Sequence, residues 1–152
     1  RALGNRSILF SANDVTVQRW LNRRLGREEF MPFAPVTLEE HKDELYENLS
    51  RAEHVYPFMT ATFNATEQAK KMSPAIIHVD GTARVQIVTH HGNPELYSIL
   101  REYYALTGIP TILNTSFNIH GEPIVCNPHD AIQTFLRLRI DYLVLNHYIV
   151  SQ

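Results

Sequence analysis

The residues best suited to chemistry stand together at 114–123, in the sequence NTSFNIHGEP. Asn114, Thr115, Ser116 and Asn118 follow a short apolar run at 109–113 that is typical of a buried strand. Short polar side chains and backbone N–H groups at a strand end are the donors that α/β sheets present to anions. The pattern predicts an anion site with Ser116 and Asn118 as its leading donors. The alternative is that these residues build a turn by bonding to their own backbone.

Arginines near the start of the chain could supply positive charge to such a site. Arg1 and Arg6 lie five residues apart, with the polar residues Asn5 and Ser7 beside them. A guanidinium can grip a phosphate or a carboxylate through two parallel hydrogen bonds. Residues 1–35 hold six arginines against three acids, which indicates a locally basic segment in a chain of net charge −2.

Two further arginines have a competing structural interpretation. Arg84 follows an Asp80-Gly81 turn and has an apolar neighbour on each side, so it is either a ligand contact or a solvent-facing strand residue. Arg27 precedes Glu28 and Glu29, so it either contacts a ligand or forms a structural salt bridge.

The eight histidines are not arranged at metal-binding spacing: the sequence has neither an HxxxH pair on one helix nor a cysteine partner at a suitable distance. We therefore expect no metal bound by this domain. His78, before the Asp80-Gly81 turn, and His120, beside Gly121, are candidates for substrate contact. P-loop, Rossmann and nucleophile-elbow motifs do not occur in the sequence.

The composition indicates one globular domain: 152 residues with 44% apolar side chains can close a core. The single cysteine favours a reducing compartment, so we predict a cytoplasmic protein. Apolar runs are far shorter than the roughly 20 residues of a membrane span, so no membrane partner is expected. A pI near 6.5 argues against nucleic acid as a partner.

Helical and extended patterns alternate along the chain and predict a mixed α/β fold. We expect helices over 13–25, over 38–49, from Asn93-Pro94 to Gly108, and from Asn127-Pro128 onward. Strands are predicted at 58–63, 109–113 and 142–150, with a hairpin over 76–89 around Asp80-Gly81. The segment 30–35, with two prolines among aromatic residues, is predicted to be an ordered, buried loop. The inward face predicted for the last helix is Ala131, Ile132, Phe135 and Leu136.

Four sequence blocks together resemble the C-terminal domain of antibiotic and nodulation-factor O-carbamoyltransferases. The blocks are RALGNRSIL at 1–9, LNRRLGREEFMPFAP at 21–35, PAIIHVDGTARVQIV at 74–88 and TGIPTILNTSFNIHGEPIVCNPHDAI at 107–132. The resemblance implies a YrdC-like fold of class α/β (α+β), a twisted mixed sheet flanked by helices. It also implies that residues 1–152 are one such domain, beginning inside a motif, with the N-terminal transferase domain elsewhere in the same polypeptide.

The resemblance also implies an activity: the domain would form carbamoyl adenylate from carbamoyl phosphate and ATP, with Mg²⁺ accompanying ATP. The transferase domain would then carbamoylate a hydroxyl of a small-molecule or sugar acceptor. Arg1, Arg6 and Arg84 would bind the phosphates and the carbamoyl oxygen, and Ser116 and Asn118, matching a Ser-x-Asn signature, would hold the α-phosphate. Further expected binding residues are Asn5, Ser7, Arg27, His78, Asn114, Thr115 and His120.

The chain departs from the resemblance at one point, since many relatives carry Lys-x-Arg-Glu where this chain has Gly26-Arg27-Glu28-Glu29. Arg27 is the residue that could replace the lysine. Two other readings of the whole chain remain: a noncatalytic module that binds a nucleotide or RNA, and an interaction domain that docks through the apolar segment 30–35.

Overall fold

A four-stranded mixed sheet forms the centre of the chain in this computed structural model, which describes residues 2–152. Its strands are β1 (Ser7–Phe10), β2 (Ala34–Leu38), β5 (Gln86–Val88) and β6 (Thr111–Ser116), in the order β1-β6-β2-β5. Strand β6 runs antiparallel to both β1 and β2, while β2 and β5 are parallel. Two small two-stranded sheets complete the fold: β3 (Phe63–Asn64) with β4 (Thr82–Ala83), and β7 (Tyr142–Leu145) with β8 (Tyr148–Ser151).

Helices cover both faces of the central sheet. On one face, helix α4 (Pro94–Thr107) packs Leu96 and Leu100 against Val36 of β2 and Ile112 of β6. The other face carries the larger core. It is built with α1 (Thr16–Arg24), α2 (Lys42–Leu45), α3 (Glu67–Met72) and α5 (Pro128–Leu138). The mixed α/β class and the mixed sheet flanked by helices are therefore confirmed.

Local capping explains why α4 and α5 lie where the sequence predicts them. The Asn93 side chain accepts a hydrogen bond from the Leu96 N–H (3.1 Å), and Gly108 ends α4 in the left-handed region at φ 72°. The Asn127 side chain accepts from the Asp130 N–H (2.9 Å), with Pro128 at the first helical position. Ala131 and Phe135 of α5 are buried as predicted, but Ile132 and Leu136 are exposed.

The hairpin predicted over 76–89 is wrong, although its turn is present. The His78 N–H donates to the Thr82 carbonyl (2.8 Å) across Asp80-Gly81. After the turn, however, β4 ends at Ala83 and pairs with β3, whereas β5 begins at Gln86 and pairs with β2. The predicted strand at 58–63 is also wrong for most of its length, since Tyr56–Phe58 forms a 3₁₀ turn and β3 begins at Phe63.

Three other predicted segments are only partly correct. In 38–49, Leu38 ends β2, a 3₁₀ turn spans Glu39–His41, and α2 is a single turn. The predicted strand at 142–150 is the β7–β8 hairpin. In 30–35, Phe33 is buried while Phe30 is 73% exposed, and β2 already begins at Ala34. Pairing with β6 extends β2 into the proline-containing segment, which sequence periodicity did not indicate.

Buried hydroxyl groups link β2, β6 and Tyr46 beneath the sheet. The Thr37 hydroxyl lies 3.1 Å from the Tyr46 hydroxyl and donates to Thr111 Oγ1 (2.8 Å), which donates to the Val36 carbonyl (3.1 Å). Burial raises the pKa of Tyr46 from 10.0 to about 12, although the threonine hydroxyls act in the opposite direction.

This raised pKa predicts a loss of stability in alkali. Since the folded-state pKa lies above the unfolded value, the stabilisation is complete below pH 10.0 and is lost as pH rises toward about 12. The loss amounts to about 3 kcal/mol, at roughly 1.4 kcal/mol per pKa unit. Urea unfolding between pH 8 and 12 should show a shallower decline for Tyr46→Phe. Tyr148→Phe, at a position 75% exposed, should decline like the unaltered protein; equal slopes for all three would contradict the prediction.

Candidate functional site

A cleft of about 460 Å³ opens at one end of the central sheet. The cleft lies where β6 ends and where β2, which runs antiparallel to it, begins, so Asn114 of β6 is paired with Ala34 of β2. The segment that leads into β5 lies at the same end of the sheet. Seven of the predicted site residues line the cleft: Arg27, Arg84, Asn114, Thr115, Ser116, Asn118 and His120. The sheet thus brings the 114–120 segment to two arginines that are distant in sequence.

The charge of the cleft comes from Arg27 and Arg84. Burial lowers the pKa of the half-buried Arg27 guanidinium, and the positive charge of Arg84 lowers it further. Among the described residues that line the cleft there is no aspartate or glutamate. Two like charges beside a wall without carboxylates favour an anionic ligand.

The contacts of Arg27 decide between its two sequence interpretations. Its Nη2 donates to the Pro32 carbonyl (3.3 Å), and its guanidinium carbon lies 4.6 Å from the centre of the Phe33 ring. Glu29 instead pairs with Arg19 (3.3 Å) and Arg23 (2.6 Å) on α1. Arg27 is thereby directed to the cleft, and the salt bridge to Glu29 considered from the sequence is not formed.

Asn118 holds the turn after β6. Its Nδ2 donates to the carbonyls of Ile119 and Glu122, both at 2.9 Å, so both amide hydrogens are engaged within the turn. Glu122 is joined to Arg137 of α5 by two hydrogen bonds of 2.7 and 3.0 Å. In this conformation Asn118 offers the cleft an acceptor oxygen rather than the predicted donor. Turn building, the alternative considered from the sequence, is the observed role of its amide group.

Ser116 is the hydroxyl best placed to donate to a ligand. It is half-buried at the end of β6, opposite Ser7 of β1. Within residues 2–152, no hydrogen bond involves its side-chain oxygen, whereas the Ser7 hydroxyl donates to Ala2 and accepts from Gly4. Thr115 and His120 stand beside it on the cleft wall.

A buried chain of amides fastens the N-terminal loop, residues 2–7, to the sheet. The Asn114 Nδ2 donates to Gln86 Oε1 (2.8 Å), and the Gln86 Nε2 donates to the Leu3 carbonyl (2.9 Å). Asn93 donates to the same carbonyl (3.2 Å). At Gly4, φ is 121° and an added Cβ would lie 2.8 Å from Leu96, so only glycine fits where the loop meets α4. Ala2 consequently reaches the cleft wall.

Four residues predicted from sequence to belong to the site do not line the cleft. Arg6 donates to the Val125 carbonyl (3.1 Å), and Ser7 bonds within its own loop. Asn5 is exposed, and His78 lies 3.1 Å from the Thr82 hydroxyl. Burial lowers the pKa of His78, and Arg84 acts in the same direction. Arg6, Ser7 and His78 are engaged by these contacts in the loops around the cleft. Arg1 lies outside the described residues.

Sequence reasoning missed the apolar wall of the cleft, formed by Leu25, Met31, Phe33, Met59 and Ile124. Met59 is buried and adopts φ 52°, an uncommon conformation for a residue other than glycine. Its segment was predicted as a strand, so no local pattern indicated it. The proline-rich segment was predicted to be buried, which is the one signal that pointed to Phe33.

Within residues 2–152, no three side chains among His, Cys, Asp and Glu are grouped so as to hold a metal ion. In the same part of the chain, no helix has the length and apolar character to cross a membrane. The fold and the cleft together define a mixed α/β domain with a compact cleft lined by two arginines.

The chain belongs to the carbamoyltransferase C-terminus family, whose sequence profile matches residues 1–152. The resemblance recognised in the sequence is therefore confirmed, and the chain is a domain of this enzyme family. Uncharacterized protein MJ1051 of Methanocaldococcus jannaschii is 43% identical over 152 residues, covering 100% of this chain and 29% of that protein. Nodulation protein NolO of Bradyrhizobium diazoefficiens is 40% identical over 153 residues, covering 100% of this chain and 28% of that protein.

The chain thus spans less than a third of the length of these relatives. Among solved structures, full-length HypF in its phosphate- and nucleotide-bound form has a similar fold, with a TM-score of 0.66. The match covers 87% of this chain and 17% of HypF at 20% sequence identity.

Proposed function

We propose that this domain forms carbamoyl adenylate from carbamoyl phosphate and ATP, as the activating part of an O-carbamoyltransferase. The observation that carries the proposal is the pair of guanidinium groups, Arg27 and Arg84, in a cleft without carboxylates among its described lining residues. Both substrates are phosphate anions, and two arginines would bind them and oppose their mutual repulsion.

The proposed reaction proceeds through carbamate. Loss of phosphate from carbamoyl phosphate by hydrolysis gives carbamate, whose oxygen attacks the α-phosphorus of ATP. The bond from the α-phosphorus to the bridging oxygen breaks, and pyrophosphate leaves with Mg²⁺ that entered with ATP. Negative charge spreads over the nonbridging oxygens in this step, so fixed donors accelerate it.

Different residues of the cleft lining suit different parts of the two substrates. Arg84 and the Ser116 hydroxyl stand at the strand ends, where they would hold the α-phosphate and the attacking carbamate. Arg27, fixed by Pro32 and Phe33, would bind the outgoing phosphates. The apolar wall around Phe33 and Met59 suits a nucleoside base. Full-length HypF, which contains a region of similar fold, was solved in a phosphate- and nucleotide-bound form, and this is in keeping with a nucleotide as substrate.

In the full-length protein we infer that a transferase domain, N-terminal in the same polypeptide, passes the carbamoyl group to a hydroxyl of a small-molecule or sugar acceptor. The length of the relatives beyond the matched region leaves room for such a domain. A cytoplasmic location, where ATP is plentiful and a lone Cys126 stays reduced, suits this chemistry.

The test is exchange of labelled pyrophosphate into ATP, measured on the full-length protein with and without carbamoyl phosphate. We expect exchange that requires carbamoyl phosphate, because reversible adenylate formation returns label to ATP. The measurement does not require the acceptor. ATP binding without any exchange would contradict adenylate formation and favour a noncatalytic nucleotide-binding module.

A further inference from the structure

Asn114 carries a buried acceptor that the fold does not satisfy. The residue is 1% exposed and lines the cleft, yet within residues 2–152 its side-chain Oδ1 has no hydrogen-bond partner. An unpaired buried carbonyl is costly, and native structures rarely retain one without a purpose. The position of Asn114 on the cleft wall suggests that a ligand supplies the missing donor.

The neighbouring hydrogen bonds determine which atom of the Asn114 amide is left unpaired. The Leu3 carbonyl can only accept, so the Gln86 Nε2 must point toward it (2.9 Å). Gln86 Oε1 then faces Asn114, and only the Asn114 Nδ2 can donate to it (2.8 Å). Rotating the Asn114 amide by half a turn would set two oxygens against each other. The unpaired atom is therefore a fixed acceptor, not a donor.

We propose that Asn114 Oδ1 accepts a hydrogen bond from the amino group of the carbamoyl substrate and so selects carbamoyl over acetyl donors. This inference rests on the proposed function and adds a specificity-determining residue to it. The amino group of a carbamoyl unit and the methyl group of an acetyl unit have nearly the same size, so shape alone separates them poorly. Only the amino group can donate to Oδ1.

The test compares carbamoyl phosphate with acetyl phosphate in the pyrophosphate exchange assay on the full-length protein. Acetate released from acetyl phosphate can attack ATP in the same way but carries no donor. We expect kcat/KM for carbamoyl phosphate to exceed that for acetyl phosphate by at least about tenfold. In Asn114→Leu, which has similar volume and no acceptor, the ratio should fall toward about one, mainly through loss of carbamoyl activity.

Asn114→Asp is the matched variant that keeps the acceptor. One carboxyl oxygen takes the place of Oδ1, and the other, when protonated, can donate to Gln86 Oε1. We expect this variant to retain the preference for carbamoyl phosphate. Because each ratio is measured within one protein, partial loss of folding cancels from it.

The outcomes separate this inference from the proposed function. Exchange with carbamoyl phosphate, but equally efficient exchange with acetyl phosphate, would overturn the role of Asn114 and leave adenylate formation intact. An unchanged ratio in Asn114→Leu would overturn it as well. Absence of exchange with either donor would remove the proposed function and this inference together.

Discussion

Replacing Arg84 with glutamine should lower kcat/KM for carbamoyl-phosphate-dependent pyrophosphate exchange by about 10³-fold or more, as for arginines that stabilise other phosphoryl transfers. Arg84 lines the cleft close enough to lower the pKa of Arg27, so its charge acts directly within the cleft where we propose that the phosphates bind. Glutamine keeps polar character and most of the length but removes the charge. The loss should appear in kcat as well as KM, because charge develops on the phosphoryl oxygens during the reaction.

Two variants of Arg27 extend this experiment, because they should lose different amounts of activity. Arg27→Lys keeps the charge but loses the planar guanidinium that lies against Phe33, so a smaller loss than for Arg27→Gln is expected. Arg51, an exposed arginine on a 3₁₀ turn away from the cleft lining, provides the control: Arg51→Gln should exchange normally. Near-normal exchange by Arg84→Gln, within about threefold of the unaltered protein, would refute the assignment of Arg84.

Helices α4 and α5 could be predicted from the sequence because their signals are local. An asparagine cap and a proline at the first position act within one turn, whatever the rest of the chain does. The 76–89 hairpin failed because strand pairing is not local. The turn at Asp80-Gly81 forms, but β5 pairs with β2, whose residues lie 50 positions earlier in the sequence.

The candidate site shows the same difference between local features, which the sequence indicates, and non-local ones, which it does not. The polar run at 114–120 was visible because its members are neighbours in sequence. Which arginines would join it was not visible, since Arg6 and Arg84 look equally suitable in the sequence. The fold directs Arg6 to the Val125 carbonyl and places Arg84 on the cleft wall. Met59 could not be predicted, because its place depends on a left-handed backbone in a segment whose pattern indicates a strand.

Removing the Ser116 hydroxyl should reduce pyrophosphate exchange by about 10²- to 10³-fold, the usual effect of losing one donor to developing negative charge. None of the hydrogen bonds formed among residues 2–152 uses this hydroxyl, so Ser116→Ala deletes a donor without breaking a contact within that region. Its melting temperature should stay within about 2 °C of the unaltered protein, since a substitution that breaks no contact usually changes stability by less than about 0.5 kcal/mol. Exchange kinetics and thermal unfolding on the same preparation check both expectations.

Asn118→Ala is the informative comparison with Ser116→Ala, because it should lower stability as well as pyrophosphate exchange. Its Nδ2 makes two bonds to turn carbonyls, so its loss leaves two acceptors without donors and should cost about 1–3 kcal/mol of stability. Exchange should fall too, because the turn positions the end of β6 and His120. Ser98→Ala, at an exposed position on α4, removes a hydroxyl that donates to the Pro94 carbonyl of the same helix (2.8 Å), and it controls for loss of a hydroxyl outside the cleft. If Ser116→Ala retained normal exchange, the hydroxyl would have no part in holding the α-phosphate, and the backbone N–H groups after β6 would have to supply the donors instead.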